Sequence, residues 1–223
     1  MCGRMSAVFD AEAVERQKYF MITRVQKKFG PRYNVAPSQP VPVVVPGPRA
    51  LDMYRWGLIP YWAKDPGIGS KLINARAETL SEKPSFRVAF QRRRCLVLSS
   101  GFYEWDRGKI PHHIQIRDQE IFAFAGLWES WTSPQGEVIK SCTVITCEPN
   151  SFMKKLHHRM PVILEPADYE EWLTSEDHQA LRSILKPIDS KVMTEYQVSR
   201  EVNSPRNDSP EVIRPAGGTD PGS

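Results

Sequence analysis

Short apolar runs with a period of two, broken by turn residues, dominate the middle of the chain. Cys95-Leu96-Val97-Leu98 reads as a buried strand. Gly101-Phe102-Tyr103-Glu104-Trp105 reads as a second, turned by Asp106-Arg107-Gly108. Ile114-Gln115-Ile116 alternates, Ile121 to Trp128 continues the pattern, and Thr143-Val144-Ile145-Thr146 is apolar and β-branched. Val41 to Val45, Leu51 to Trp56, Met160 to Leu164 and Val192 to Val198 complete the predicted strands. Pro42 places the first of these on a sheet edge, because it cannot donate to a ladder. Gly57 ends the second.

Helical signals are fewer. Asp10 can cap a helix running through Val14 toward Phe20, with Glu12, Glu15, Arg16 and Lys18 on its solvated face. Asn150 can cap a short helix through Phe152 and Leu156, and Ala167 to Leu173 and His178 to Leu185 read as helices. Tyr33 to Pro37 reads as a loop from its Asn and Pro. Pro60 to Ser70 is a long loop that carries Tyr61 and Trp62 on a Pro- and Gly-rich backbone. It is either a binding element or a loop whose Trp62 plugs the core. Strands joined as hairpins, without βαβ alternation, predict an α+β fold with a mainly antiparallel sheet. No repeat or composition break divides the chain, so one domain is expected over residues 1–215, with a disordered tail at 216–223.

Composition narrows the class. At 40% hydrophobic and 25% charged, the chain reads as an ordinary soluble protein. No apolar run approaches the ~20 residues that span a bilayer, and Cys2-Gly3-Arg4 does not lead into a secretory apolar segment. A cytoplasmic location is therefore expected, with Cys2, Cys95, Cys142 and Cys147 reduced. Their spacing matches no zinc pattern, and no Gly-rich nucleotide motif is present, so neither metal nor cofactor is expected. The net charge of +4 permits an anionic partner without requiring one.

The candidate chemistry starts at Cys2. Removal of Met1 would leave a residue with a free α-amine and a thiol on adjacent carbons. An aldehyde can condense with the amine to an imine, and the thiol can close a five-membered thiazolidine. Near pH 7.5 such an amine is roughly 25–40% unprotonated and an ordinary thiol about a tenth thiolate. Glu104 shares a strand face with Phe102, and burial there would raise its pKa toward general acid/base use. A lone strand Glu more often faces solvent, and that reading stays open. His157-His158-Arg159 before a strand offers an acid/base and a phosphate ligand, or a solvated turn. Asn74 and Arg76, two apart, would share one side of an extended segment. His112-His113 reads as a polar turn without a role, and Arg92-Arg93-Arg94 as a nucleic-acid patch or a solvated edge.

Taken together and in order, these signals resemble one family. Cys2-Gly3-Arg4, Tyr33-Asn34-Val35-Ala36-Pro37, Trp56-Gly57-Leu58-Ile59-Pro60, Asn74 to Thr79, Cys95-Leu96-Val97 with Gly101 to Trp105, Ala125 to Glu129, Thr146, His157 to Pro161 and Val202-Asn203-Ser204-Pro205 match the SRAP pattern. These are the SOS-response-associated peptidases, also described as abasic-site processing proteins. The resemblance implies a compact α+β fold with a barrel-like core and peripheral helices. It implies binding of single-stranded DNA, as a monomer, and covalent crosslinking of abasic sites through Cys2. Asn74 would position the Cys2 amine and the opened sugar, Glu104 would act as general acid/base, and His157 would protonate the ring oxygen. Arg4, Arg76 and Arg159 would hold phosphates, Trp62 would stack on a base, and Asn34 and Thr146 belong to the same DNA-binding set. A lyase side activity and removal of Met1 by the same residues are also implied. Two rival readings remain: a cysteine peptidase without DNA, and a non-covalent reader of damaged single strands.

Overall fold

The computed structural model describes residues 2–217. Fourteen strands are present among them: β1 (Met5–Ala7), β2 (Arg24–Val25), β3 (Arg32–Val35), β4 (Pro40–Val45), β5 (Ala50–Trp56), β6 (Asn74–Arg76) and β7 (Arg94–Ser99), then β8 (Gly101–Trp105), β9 (Pro111–Ile116), β10 (Phe122–Thr132), β11 (Val138–Cys147), β12 (Met160–Pro161), β13 (Ile163–Leu164) and β14 (Met193–Gln197). The α-helices are short: α1 (Ala11–Arg16), α2 (Arg87–Arg92), α3 (Tyr169–Thr174) and α4 (His178–Ile184). The α+β expectation and its barrel-like core are both borne out.

The barrel closes through β11-β10-β7-β4-β5, with antiparallel neighbours and one parallel seam where Ser141 and Cys142 of β11 meet Arg55 and Trp56 of β5. Its strands are buried on both faces: Val41, Val43, Phe124 and Val144 share one face by register, Leu96, Leu98 and Leu127 the other, and all are fully buried. A second sheet, ordered β14-β9-β8-β1-β3, lies beside it. Phe102 of β8 joins the main core, whereas Tyr103 and Trp105 on the other face pack with Val198, Val202 and Val212 in a smaller cluster. Strand alternation therefore sorts β8 as expected.

Several local expectations need correction. β4 is an interior strand, not an edge. Pro42 faces Met53 of β5, and the ladder to β7 registers only Val43 and Val44, so the missing N–H falls where β7 does not pair. Tyr33 to Val35 is strand rather than loop, because β3 pairs with β1 and Asp208 accepts from the Tyr33 and Asn34 amides. His112 and His113 lie buried within β9 rather than in a polar turn. Met160 to Leu164 splits into two short strands that pair with β11 and β10 respectively. The helix expected at His178 forms, Asp10 caps a helix that ends at Arg16 short of Phe20, and Asn150 accepts from the Met153 amide but starts only a 3₁₀ turn, Met153–Lys155.

Gly57 has φ +123° and passes so close to Gly69 that a Cβ on either would fall within 3 Å of the other's carbonyl oxygen. This contact seats the 3₁₀ turn Pro66–Lys71 against the end of β5. The expected tail starts at Ala216, yet the Ala216 amide donates to the Gln197 carbonyl. The rest of the expected tail, residues 218–223, lies outside the described residues. No described helix is long and apolar enough to cross a membrane.

Candidate active site

Antiparallel pairing of β1 with β8 puts Met5 opposite Phe102, and the Tyr103 amide donates to the Arg4 carbonyl at 3.0 Å. Carried back along the chain, this register runs Cys2 and Gly3 beside Glu104. Cys2 is fully buried and Glu104 is 4% exposed. Burial raises the Glu104 pKa. It also pushes the Cys2 thiol well up, and the Glu104 charge adds to that effect. The tenth-thiolate figure for a free thiol is therefore corrected: in this chain, with Met1 ahead of it, Cys2 is held as a thiol.

Asn74 bridges the two sheets. It stands on β6, which pairs in parallel with β11 so that Asn74 meets Val144 and Arg76 meets Thr146. Its Nδ2 donates to the Cys2 carbonyl at 2.8 Å. Its Oδ1 is buried without a hydrogen-bond partner among the described residues. An acceptor left unmade in this way costs about 1–3 kcal/mol, so a donor arriving there gains by that margin. Ala75 is buried between Asn74 and exposed Arg76, which places those two on one side as their spacing suggested.

A second group gathers at the end of β11. Arg159 forks onto Glu78, with Nη1–Oε1 at 2.6 Å and Nη2–Oε2 at 2.9 Å, and Nη2 also donates to the Thr146 carbonyl at 2.6 Å. The fork holds the Glu78 carboxyl below its ordinary pKa. Nδ1 of His157 sits 3.0 Å from the Arg159 amide nitrogen and 3.2 Å from the Arg159 carbonyl oxygen, so the backbone two residues on fixes the ring. Partial burial lowers the His157 pKa. Its ring stacks on His158 with centroids 4.2 Å apart.

Two expected DNA-binding positions are inside the fold. Thr146 is fully buried, with Oγ1 donating to the Ala75 carbonyl. Asn34 is fully buried too. Its Nδ2 donates to the carbonyls of Val202, Ser204 and Asn207, and its Oδ1 accepts from Arg4 at 2.7 Å. This explains why Tyr33 to Pro37 and Val202 to Pro205 occur together: one motif clasps the other. Arg4 also donates to the Val202 and Asn203 carbonyls and lies over the Trp105 ring. Arg94 is likewise spent internally, on the carbonyls of Phe90, Gln91, Trp172 and Ser175. That accounts for one member of the triple-Arg run without nucleic acid.

Trp62 and Tyr61 are 47% and 57% exposed on the loop after β5, so Trp62 does not plug the core. The loop is pinned from beneath by residues that sequence reasoning passed over. The Tyr61 amide donates to Glu129 Oε2 at 3.1 Å, Arg93 pairs with the other Glu129 oxygen, and Trp131 Nε1 donates to the Ala63 carbonyl at 2.7 Å. Glu129 ends the Ala125-to-Glu129 motif, which was the one available signal.

The family model described as SOS response associated peptidase (SRAP) matches residues 1–205. The chain belongs to the SRAP family. It is 45% identical to the abasic site processing protein YoqW of Bacillus subtilis, covering 96% of this chain and 99% of the relative. It is equally 45% identical to YoaM of the same organism, also an abasic site processing protein, over 96% of this chain and 97% of that one. A crystal structure of a Bacteroides thetaiotaomicron protein superposes with TM-score 0.87 at 30% identity, covering 96% of this chain and all of that one. Among the described residues of this SRAP domain, no group of three or more His, Cys, Asp or Glu side chains is placed to hold a metal ion.

Proposed function

We propose that this protein processes abasic sites in single-stranded DNA by crosslinking to them through Cys2 once Met1 is removed. The observation that carries the reading is the grouping of Cys2, Asn74 and Glu104, in which a potential amine, an open amide acceptor and a buried carboxylate meet. The names of its relatives supply the substrate. Arg76, Arg4 and Arg159 hold flanking phosphates, the last two through the faces left after their internal bonds. Trp62 stacks on a base, while Asn34 and Thr146 act by holding Arg4 and Arg159.

In its protonated form His157 gives a ring proton to the sugar ring oxygen as the C1′–O4′ bond breaks, the C1′ hydroxyl gives up its proton to water, and the abasic site opens to its aldehyde. The Cys2 amine attacks the aldehyde carbon, with Asn74 Oδ1 accepting one of its hydrogens, and the carbinolamine loses water to give the imine. The thiol then adds across the C=N bond. Sulfur bonds to carbon, and the thiol proton leaves to Glu104, which passes it to the ring nitrogen. One water is released overall. Because burial opposes thiolate formation, the amine acts first and Glu104, with its raised pKa, is a base of suitable strength. An imine that escapes closure can eliminate its 3′ phosphate, which makes lyase activity a side reaction.

The test is a denaturing gel of protein mixed with a single strand bearing one abasic site. Wild type should give a denaturant-stable band and Cys2→Ala none, while both bind the strand alike. A Cys2→Ala protein that still gives the band would overturn the assignment.

A further inference from the structure

Beside His157 lies a groove of about 530 Å³ lined by Arg107, Glu148, Pro149, Lys154, Lys155, Leu156, His157 and His158. Arg107 comes from the β8–β9 turn, directly after the strand that carries Glu104. Lys154 and Lys155 come from the 3₁₀ turn that leads into His157. The two walls are thus the continuations of two segments of the candidate site, and the groove opens from its acid/base histidine.

Its charge is unspent. Arg4, Arg93, Arg94 and Arg159 are all committed to partners inside the protein. The side chains of Arg107, Lys154 and Lys155 are exposed and make no hydrogen bond or ion pair among the described residues. Glu148 is the one acid on the lining. The stacked His157–His158 pair also lines the groove. A larger cavity of about 850 Å³ offers no such field, since Arg117 is countered there by Asp118 and Glu120 and no candidate site residue lines it.

We propose that this groove binds phosphodiesters of the DNA strand beyond the lesion, with Lys154, Lys155 and Arg107 as the cations that contact them. The inference rests on the proposed function and extends its footprint past His157. A flexible, exposed Lys pair suits a strand whose backbone carries charge at every nucleotide, because each contact releases condensed counterions. The contacts carry no base identity, so they lengthen the footprint without narrowing sequence choice.

Fluorescence anisotropy against salt, on a single strand holding a tetrahydrofuran abasic analogue, isolates the non-covalent step. Lys154→Ala/Lys155→Ala should weaken binding and flatten the slope of log K against log salt by about 1.4, two contacts at ~0.7 each. Lys27→Ala/Lys28→Ala removes the same charge away from the groove and should change the slope far less. With a true abasic site at saturating DNA, the groove variant should crosslink at the wild-type rate. Equal slopes for the two double variants, or no change in either, would overturn the groove while leaving wild-type crosslinking intact. A wild type that fails to bind the single strand overturns the parent reading and this one with it.

Discussion

Glu104 and Glu129 are the two buried glutamates among the described residues, and they are used differently. They are 4% and 2% exposed, and burial raises the pKa of both. Glu129 spends its oxygens on Arg93 and on the Tyr61 amide, and so fixes the loop that presents Trp62. Glu104 stands beside a buried thiol whose ionisation it opposes. The first carboxylate holds a loop in place; the second lies beside a group that can react. Burial and a raised pKa therefore do not mark a reactive group unless the neighbour is itself reactive.

Substitutions can separate the two roles. Cys2→Ala should remove the adduct altogether. Glu104→Gln should slow crosslinking by roughly 10²–10⁴, the usual contribution of a positioned acid/base, with DNA affinity unchanged. Glu129→Gln should do the reverse. Loosening the aromatic loop forfeits stacking of about 1–3 kcal/mol per base, so Kd rises while the rate at saturating DNA holds. Single-turnover rates and anisotropy on the same proteins check both; a rate loss in Glu129→Gln would collapse the comparison.

Stability offers a smaller contrast. The folded state holds the Glu104 proton more tightly than the unfolded chain, where a Glu titrates near ~4.3. Its contribution is therefore greatest below that pH and is lost as pH rises through the folded value. Glu104→Gln should melt at or above wild type at neutral pH; the raised Glu129 pKa gives the same sign of pH dependence, so Glu129→Gln should melt below wild type only through the Arg93 and Tyr61 bonds it weakens. A thermal melt series against pH on both variants checks this.

His113 gives a further pH effect. Burial lowers its pKa to about 3, and its ring nitrogens sit 2.9 Å from Ser6 Oγ and 3.0 Å from the Tyr196 hydroxyl. The unfolded chain takes up a proton near ~6.5. This group should then cost stability progressively as pH falls below that value, until about 3. His113→Gln should flatten that part of the acid transition.

Much of this was legible in the sequence. The strands around Cys95 to Trp105 follow from period-two patterning, and the faces of β8 from alternation. Cys2 and Glu104 stood out because their chemistry depends on residue type and local face. Glu129, Arg93, Glu78 and Asp208 did not, because each acts through a partner 30 or more residues away. Glu129 reaches Tyr61 across 68 positions and Asp208 reaches Tyr33 across 175. The two His pairs show the same limit. As dipeptides they are identical, yet cross-strand neighbours bury one in β9 while the other borders a groove. Pro42 misled for a related reason, since its tolerance depends on where β7 stops pairing.

The central claim is that Cys2 supplies both the amine and the thiol of the crosslink. Intact mass spectrometry of the purified protein, incubated with an abasic single strand and no borohydride, tests it most directly. The account predicts a denaturant-stable adduct on protein lacking Met1, one water lighter than the sum of its parts and absent with undamaged DNA. Protein with a free Cys2 terminus that forms no adduct would contradict it.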